Sequence, residues 1–333
     1  MPSMTQRFRP VPVTILTGFL GSGKTTLLNR ILSEYHGEKI AVIENEFGET
    51  GIDGELLVNS EEQIVEMNNG CICCTVRGDL VRILTQLAQH RGSGESRFDR
   101  VIIETTGLAD PAPAAQTFFV EADIVKNYEL DAIITVVDAR HASLQLDEHH
   151  EAQEQVGFAD RILISKTDLV TETETQDLIA RLRGINPRAP VSRVHFGKTR
   201  LDEILDIRGF NLNAILDIEP HFLSDVSHKH DDDVTSFVFR SQRPFDIEKL
   251  DTFLGGLLAI YGKDLLRYKG VLHVQGTPER LVFQGVHMIM GLDVGKAWSV
   301  DDTPQSVMVF IGRRLPADLF LKGLKKCLID EGL

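Results

Sequence analysis

Apolar residues in the first two-thirds of the chain fall into two rhythms that alternate. Five short runs, Val11–Leu16, Lys39–Ile43, Arg100–Ile103, Ala132–Val137 and Arg161–Ile164, are rich in β-branched residues and nearly continuous. Parallel strands covered on both faces have this pattern, whereas a half-solvated sheet alternates in and out. Pro12 stands at the start of the first run, where a missing N–H is tolerated. Between the runs the spacing becomes helical: Leu27, Leu28, Ile31, Leu32 and Tyr35 share one face, as do Leu80, Ile83, Leu84 and Leu87. Strands alternating with helices predict an α/β domain built on a mainly parallel sheet.

The rhythm fades near Glu219. Residues 219–233 (EPHFLSDVSHKHDDD) are polar and acidic and read as a linker. Beyond them Val234–Phe239, Val271–Gln275, Arg280–Gln284 and Ser306–Ile311 resemble alternating strands, flanked by helical stretches at Ile247–Tyr261 and Ala317–Leu328. The expected layout is therefore an α/β domain over 1–218, a linker over 219–233 and a smaller α+β domain over 234–333.

Composition narrows the functional classes. The balance of 35 basic against 49 acidic residues, −14 in all, argues against a surface built to wrap nucleic acid. No stretch approaches the ~20 consecutive apolar residues of a membrane helix, and the polar N-terminus lacks the layout of a secretory signal. A cytoplasmic protein is expected. Three of the four cysteines crowd together as Cys71, Cys73 and Cys74, which suits a metal site in a reducing compartment better than a disulfide framework.

Gly18-Phe19-Leu20-Gly21-Ser22-Gly23-Lys24-Thr25 fits the phosphate-loop template G-x-x-x-x-G-K-[ST]. Gly21, Ser22 and Gly23 let backbone N–H groups turn toward phosphate oxygens. Lys24 would reach the β- and γ-phosphates, Thr25 would ligate Mg²⁺ and Thr26 would bond the α-phosphate. The following helix points its positive end at the same anions. At the end of the fifth predicted strand, Ser165-Lys166-Thr167-Asp168 is a variant of the guanine-reading pattern N-K-x-D. Asp168 can accept both N–H groups of a guanine edge, whereas adenine would set acceptor against acceptor. Lys166 would lay its stem along the base, and Phe196-Gly197-Lys198 would close over it. Ser165 departs from the usual Asn. Glu104-Thr105-Thr106-Gly107 has the spacing of D-x-x-G: the carboxylate would meet Mg²⁺ through water, and the glycine N–H would sense the γ-phosphate. Together these predict GTP hydrolysis with Lys24, Thr25 and Glu104 as catalytic groups.

In an extended Gly70-Cys71-Ile72-Cys73-Cys74, residues two apart point to one side, so Cys71 and Cys73 can grip one soft metal ion. Small buried hydrophobes are the alternative for these thiols. The Glu44-Asn45-Glu46-Phe47-Gly48-Glu49 segment can add oxygen ligands.

The loop GFLGSGKTT, then ENEFGE, GCICC, ETTGLADP and SKTD occur in the order found in the CobW-type P-loop GTPases. The chain resembles that family over nearly its whole length, most of all its YjiA-like branch. The resemblance extends to Leu265–Gly270 and Met308–Gly312 in the second domain. It implies a metal-binding GTPase, with Cys71, Cys73, Cys74, Glu44 and Glu49 as metal ligands by position. It further implies GTP and Mg²⁺ as ligands, zinc (with cobalt or iron as alternatives) as the metal, and a client metalloprotein as partner. A regulatory GTPase without metal delivery and a P-loop ATPase or kinase are the rival readings, and a homo-oligomer stays open. His228 and His230, beside Asp231, Asp232 and Asp233, form a reduced version of the His-rich tracts of some relatives, or simply a solvated linker. Asp147 to Glu151 reads as a solvated helix face, with His141 one stretch earlier. Trp298 and Cys327 are expected to pack the second core.

Overall fold

The computed structural model describes residues 10–34, 37–46, 57–59, 62–68, 75–201, 204–210, 233–299 and 302–329. Tyr35, Glu49, Cys71, Cys73, Cys74, His228, His230, Asp231 and Asp232 lie outside the described residues, with nearly all of the expected linker.

The five strands expected from continuous apolar runs are present as β1 (Val11–Thr17), β2 (Ile40–Glu46), β5 (Arg100–Glu104), β6 (Tyr128–Asp138) and β7 (Arg161–Ser165). The sheet also contains β3 (Leu57–Asn59), β4 (Glu62–Asn68) and β8 (Val191–Arg193), in the order β3-β4-β2-β5-β1-β6-β7-β8. Among the described strands of this sheet, only β3 runs antiparallel to its neighbour. Both faces are covered. Leu16, Val42, Ile102 and Val136 pack on α1 (Lys24–Ser33), while Ile15, Ile43, Ile103 and Ile133 share the opposite core with α2 (Thr75–Ser93) and α3 (Ala112–Val120). Because β1 lies between β5 and β6, a crevice opens at the carboxyl ends of these strands, where open α/β sheets take their ligands. The short helices α4 (Ala122–Asn127), α5 (Ala142–Glu148) and α6 (His150–Phe158) follow, then α7 (Glu172–Ile185), which starts at a Thr171–Glu174 capping box.

The second sheet is antiparallel throughout: β9 (Val234–Ser241), β10 (Leu265–Leu272), β11 (Glu279–Val286), β12 (Ile289–Ala297) and β13 (Ser306–Arg313), in the order β12-β11-β10-β13-β9. Helices α8 (Ile247–Tyr261) and α9 (Ala317–Lys326) cover one face, closing a core of Phe239, Tyr268, Phe283, Phe310 and Phe320. Cys327 packs in that core, and Trp298 is half-buried beside Val271, Val282 and Val307. The other face lies on α3, α6 and α7, so Val234, Leu266, Val286, Val309 and Ile311 belong to the core of the first sheet.

This packing corrects the expected in-out alternation: β10 and β13 are buried nearly end to end, since helices cover them from both sides. It also corrects one boundary. The strand expected at Val271–Gln275 runs instead from Leu265 to Leu272 and includes Arg267 and Lys269, only 3% and 5% exposed. Asp160 explains their burial. Its Oδ1 accepts from Arg267 Nη2 at 2.5 Å and Lys269 Nζ at 2.8 Å, while Oδ2 accepts from the Ile133 N–H at 2.9 Å. Helix α6, caught between the sheets, is buried from Ala152 through Phe158 despite its polar Gln153-Glu154-Gln155. Among the described residues, no helix is long and apolar enough to cross a membrane.

Candidate functional site

The chain leaves β1 at Thr17, turns through Gly18–Gly23 and enters α1 at Lys24. Gly23 sits at the helix start with φ 100°, a left-handed conformation that side chains with a Cβ adopt at a cost. Lys24 is 8% exposed, and its Nζ reaches back along the loop to donate to the Gly18 carbonyl at 2.7 Å and the Phe19 carbonyl at 3.3 Å. Burial pushes the pKa of its ammonium down, and the charge of Glu104 opposes that shift. Thr25 Oγ1 donates to Glu104 Oε1 at 2.8 Å. A hydroxyl and a carboxylate meeting at the helix start form an oxygen donor set suited to a hard divalent cation, so these residues fit Mg²⁺. Ser22 Oγ is buried without a hydrogen-bond partner in the protein, a polar atom free to meet a ligand at the loop.

Beyond Glu104, the Thr105 N–H donates to the Leu16 carbonyl at 3.0 Å and its hydroxyl to Thr17 Oγ1 at 2.9 Å, tying this segment to the end of β1. Gly107 touches the phosphate loop itself: a Cβ there would lie 2.6 Å from the Leu20 nitrogen. Gln155 on α6 holds the segment from behind, donating to the carbonyls of Gly107 at 3.1 Å and Ala109 at 3.0 Å. Sequence reasoning missed Gln155, since a glutamine in the polar run Glu151-Ala-Gln-Glu-Gln reads as solvent-facing.

At the other end of the crevice, Ser165 Oγ donates to the Ser22 carbonyl at 2.6 Å, so the hydroxyl that replaces the usual Asn ties β7 to the phosphate loop. Lys166, at φ 56°, donates to the Gly21 carbonyl and to Asp138 Oδ2, both at 2.8 Å. Asp138 also faces His141 Nδ1 at 2.8 Å. Burial opposes its ionisation, but the hydrogen bonds from Lys166, His141 and the Arg140 N–H outweigh that and hold its carboxyl below the usual range. The signal for Asp138, also missed, is an acid closing an apolar strand. Asp168 is half-exposed, with His195 Nδ1 3.7 Å from its Oδ1. Phe196 stands 72% exposed at the tip of the next loop, and Gly197 packs against Thr26 and Leu27 of α1.

Contacts thus gather Gly21, Ser22, Gly23, Lys24, Thr25, Glu104, Gly107 and Lys166 around the phosphate loop, while Thr26 follows on α1 and Asp168 lies two residues beyond Lys166. Glu44 lies beside Glu104, its Cα partner in the parallel pairing of β2 with β5. His149 and His150 diverge. The His149 ring lies 4.7 Å from that of Phe19, and His150 Nδ1 is 3.4 Å from Asp233, which Arg314 also grips. Among the described residues, no group of three or more His, Cys, Asp or Glu is arranged to hold a metal ion.

Comparison with known proteins places this geometry. Residues 12–193 match the CobW/HypB/UreG nucleotide-binding domain, and residues 234–328 match the C-terminal domain of the cobalamin synthesis protein CobW. The chain is 45% identical over 312 residues to the zinc chaperone YjiA of Escherichia coli, covering 93% of this chain and 96% of that one. It is 36% identical over 314 residues to the zinc-regulated GTPase metalloprotein activator 1 of Dictyostelium discoideum, covering 82% of this chain and 65% of that protein. A crystal structure of the Zn(II)-bound YjiA GTPase from E. coli superposes with a TM-score of 0.80 at 38% identity, covering 96% of this chain and 100% of that one. With a phosphate loop on a parallel sheet and both domain matches in order, the chain belongs to the CobW/HypB/UreG family of nucleotide-binding proteins.

Proposed function

We propose that the protein is a cytoplasmic GTPase that couples its nucleotide state to the binding of a transition metal, zinc foremost, and to its delivery to client metalloproteins. Residues 1–218 form the GTPase domain in this reading, 219–233 the linker and 234–333 the second domain. The backbone of Gly21 to Gly23 and Lys24 cradle the phosphates, and Thr26 bonds the α-phosphate. Asp168 accepts from the guanine edge, while Lys166, held by Gly21 and Asp138, lies along the base. Thr25 and, through water, Glu104 would hold Mg²⁺, which offsets charge on the β- and γ-phosphates. Gly107 presents its N–H to the γ-phosphate, with Gln155 fixing the carbonyls on either side of Leu108.

The observation that carries the coupling is the register of β2 with β5. Glu44, the metal-ligand candidate on a described strand, is the direct neighbour of Glu104, which in turn bonds Thr25. A cation held by Glu44 with Glu49, Cys71, Cys73 and Cys74 would sit close to the magnesium and γ-phosphate. Nucleotide and cargo then alter one another's affinity by the same factor.

The test is zinc affinity of the reduced protein with Mg²⁺ plus non-hydrolysable GTP, against Mg²⁺ plus GDP. An affinity difference of about fivefold or more, lost in Cys71→Ser/Cys73→Ser, is expected. Nucleotide-independent zinc binding would overturn the coupling, and preferential hydrolysis of ATP would overturn the guanine assignment.

A further inference from the structure

Helices α8 and α9 pack antiparallel on the face of the second sheet that is turned away from the nucleotide crevice. Their inner faces are spent on the core through Leu250, Leu254, Leu257, Phe320 and Leu324. Between their outer faces runs a groove of ≈ 1250 Å³. Phe253 and Tyr261 line it, the core residue Leu257 forms its floor, and Ile260 and Leu319 border it with 72% and 45% exposure. Two large aliphatic side chains thus face water along one furrow.

Two further features say what fits there. Gly255 and Gly256 occupy the middle of α8, where glycine is a poor helix former. A Cβ at either position would meet no atom within 4 Å, so packing within the protein gives no reason for glycine. Gly256 lines the groove and leaves a bare stretch of helix that another backbone can approach closely. The second feature is charge. Lys322 and Lys326, one turn apart on the second half of α9, line the groove, with Glu248 and Lys249 at the start of α8 near its close and Asp318 at the far end. Lys249 also lies 3.6 Å from Asp246. Asp246 and Glu248 offset Lys249, so the positive charge on this half of the groove is that of Lys322 and Lys326.

We propose that the α8–α9 groove docks an amphipathic helix of a partner protein, its apolar face on Phe253, Ile260 and Leu319 and its acidic residues at the lysine end. Helices seat in grooves through anchors at i, i+3, i+4 and i+7. With α9 itself about 15 Å long, two to three turns of partner helix span the furrow. The site is independent of the GTP assignment, because none of its residues borders the crevice.

The test uses the full-length protein and a fluorescent peptide of about three helical turns, with leucine at the anchor positions and glutamate elsewhere. A version with lysine for glutamate serves as control. The acidic peptide is expected to bind, and the lysine version to bind at least about tenfold more weakly. Gly256→Leu, which fills the bare stretch, and Lys322→Glu/Lys326→Glu should each weaken the acidic peptide by about tenfold or more, with GTP turnover unchanged. Failure of the acidic peptide to bind, or binding indifferent to both variants, overturns the proposal. So does concentration-dependent dimerisation abolished by Ile260→Glu, which would assign the groove to a second copy. Binding to phosphatidylserine vesicles but not to the peptide would assign it to a lipid surface.

Discussion

Replacing Asp160 tests whether the two sheets are held in register by charge. Its Oδ1 takes hydrogen bonds from Arg267 at 2.5 Å and Lys269 at 2.8 Å, all three side chains being nearly inaccessible. Arg267 also lies 3.9 Å over the Phe210 ring. Asp160→Leu strips the carboxylate from two buried cations, and breaking a buried pair in this way costs ~3–5 kcal/mol. Against a typical stability of ~5–15 kcal/mol, such a loss is large. The triple variant Asp160→Leu/Arg267→Met/Lys269→Met removes all three charges and should recover much of the loss, short of the ~1–3 kcal/mol for the buried Ile133 N–H that donates to Asp160 Oδ2. Urea unfolding measures both. Burial opposes ionisation of Asp160, but Arg267 and Lys269 prevail and hold its carboxyl below the ordinary 3.8. The contribution is therefore complete above that pH and lost as pH falls through the lowered folded-state value, so the gap between wild type and Asp160→Leu should persist near neutrality and shrink in acid. A loss below ~1 kcal/mol, or a triple variant as unstable as the single, would refute this account.

Other consequences concern the crevice and its surroundings. Gly107→Ala places a methyl group 2.6 Å from the Leu20 nitrogen, so GTP turnover should fall by ~10-fold or more while GDP affinity, measured by titration, changes little. Asp168→Asn swaps one acceptor for a donor; competition binding should show guanine selection over adenine falling by ~10³-fold or more. Glu154, paired with Arg313 at 3.0 Å, is pushed up to about 7, mainly by burial and further by Asp110 and Glu151. The native state then holds a proton that the unfolded chain releases above about 4.5, so this group's contribution to stability is full in acid and falls as pH rises from 4.5 to 7. Subtracting Glu154→Gln from wild type across that range in thermal melts should isolate the falling slope; a rising one would contradict it.

What could be read from the sequence depended on where each residue's environment was set. β1, β2, β5, β6 and β7 were legible because strands covered on both faces must be apolar throughout. β4 (EQIVEMN) and β12 (IMGLDVGKA) lie near or at sheet edges and carry polar residues and glycines that blur a strand. β10 was misplaced because Arg267 and Lys269 look solvated until Asp160, more than a hundred residues earlier, supplies their counter-charge. The phosphate loop was legible, and the Ser165–Asp168 motif could be singled out as a candidate, because each is contiguous in the sequence. Gln155 and Asp138 act on those motifs from other elements, and only tertiary structure brings them there.

The sharing of Val234, Leu266, Val286, Val309 and Ile311 with the first core has a consequence for dissection of the molecule. Expressed alone, the C-terminal part would present that apolar face to water and behave as a sticky fragment. Co-expressed as two chains divided within 211–232, the halves should instead find each other and reassemble as a two-chain complex, with covalent continuity at that point dispensable.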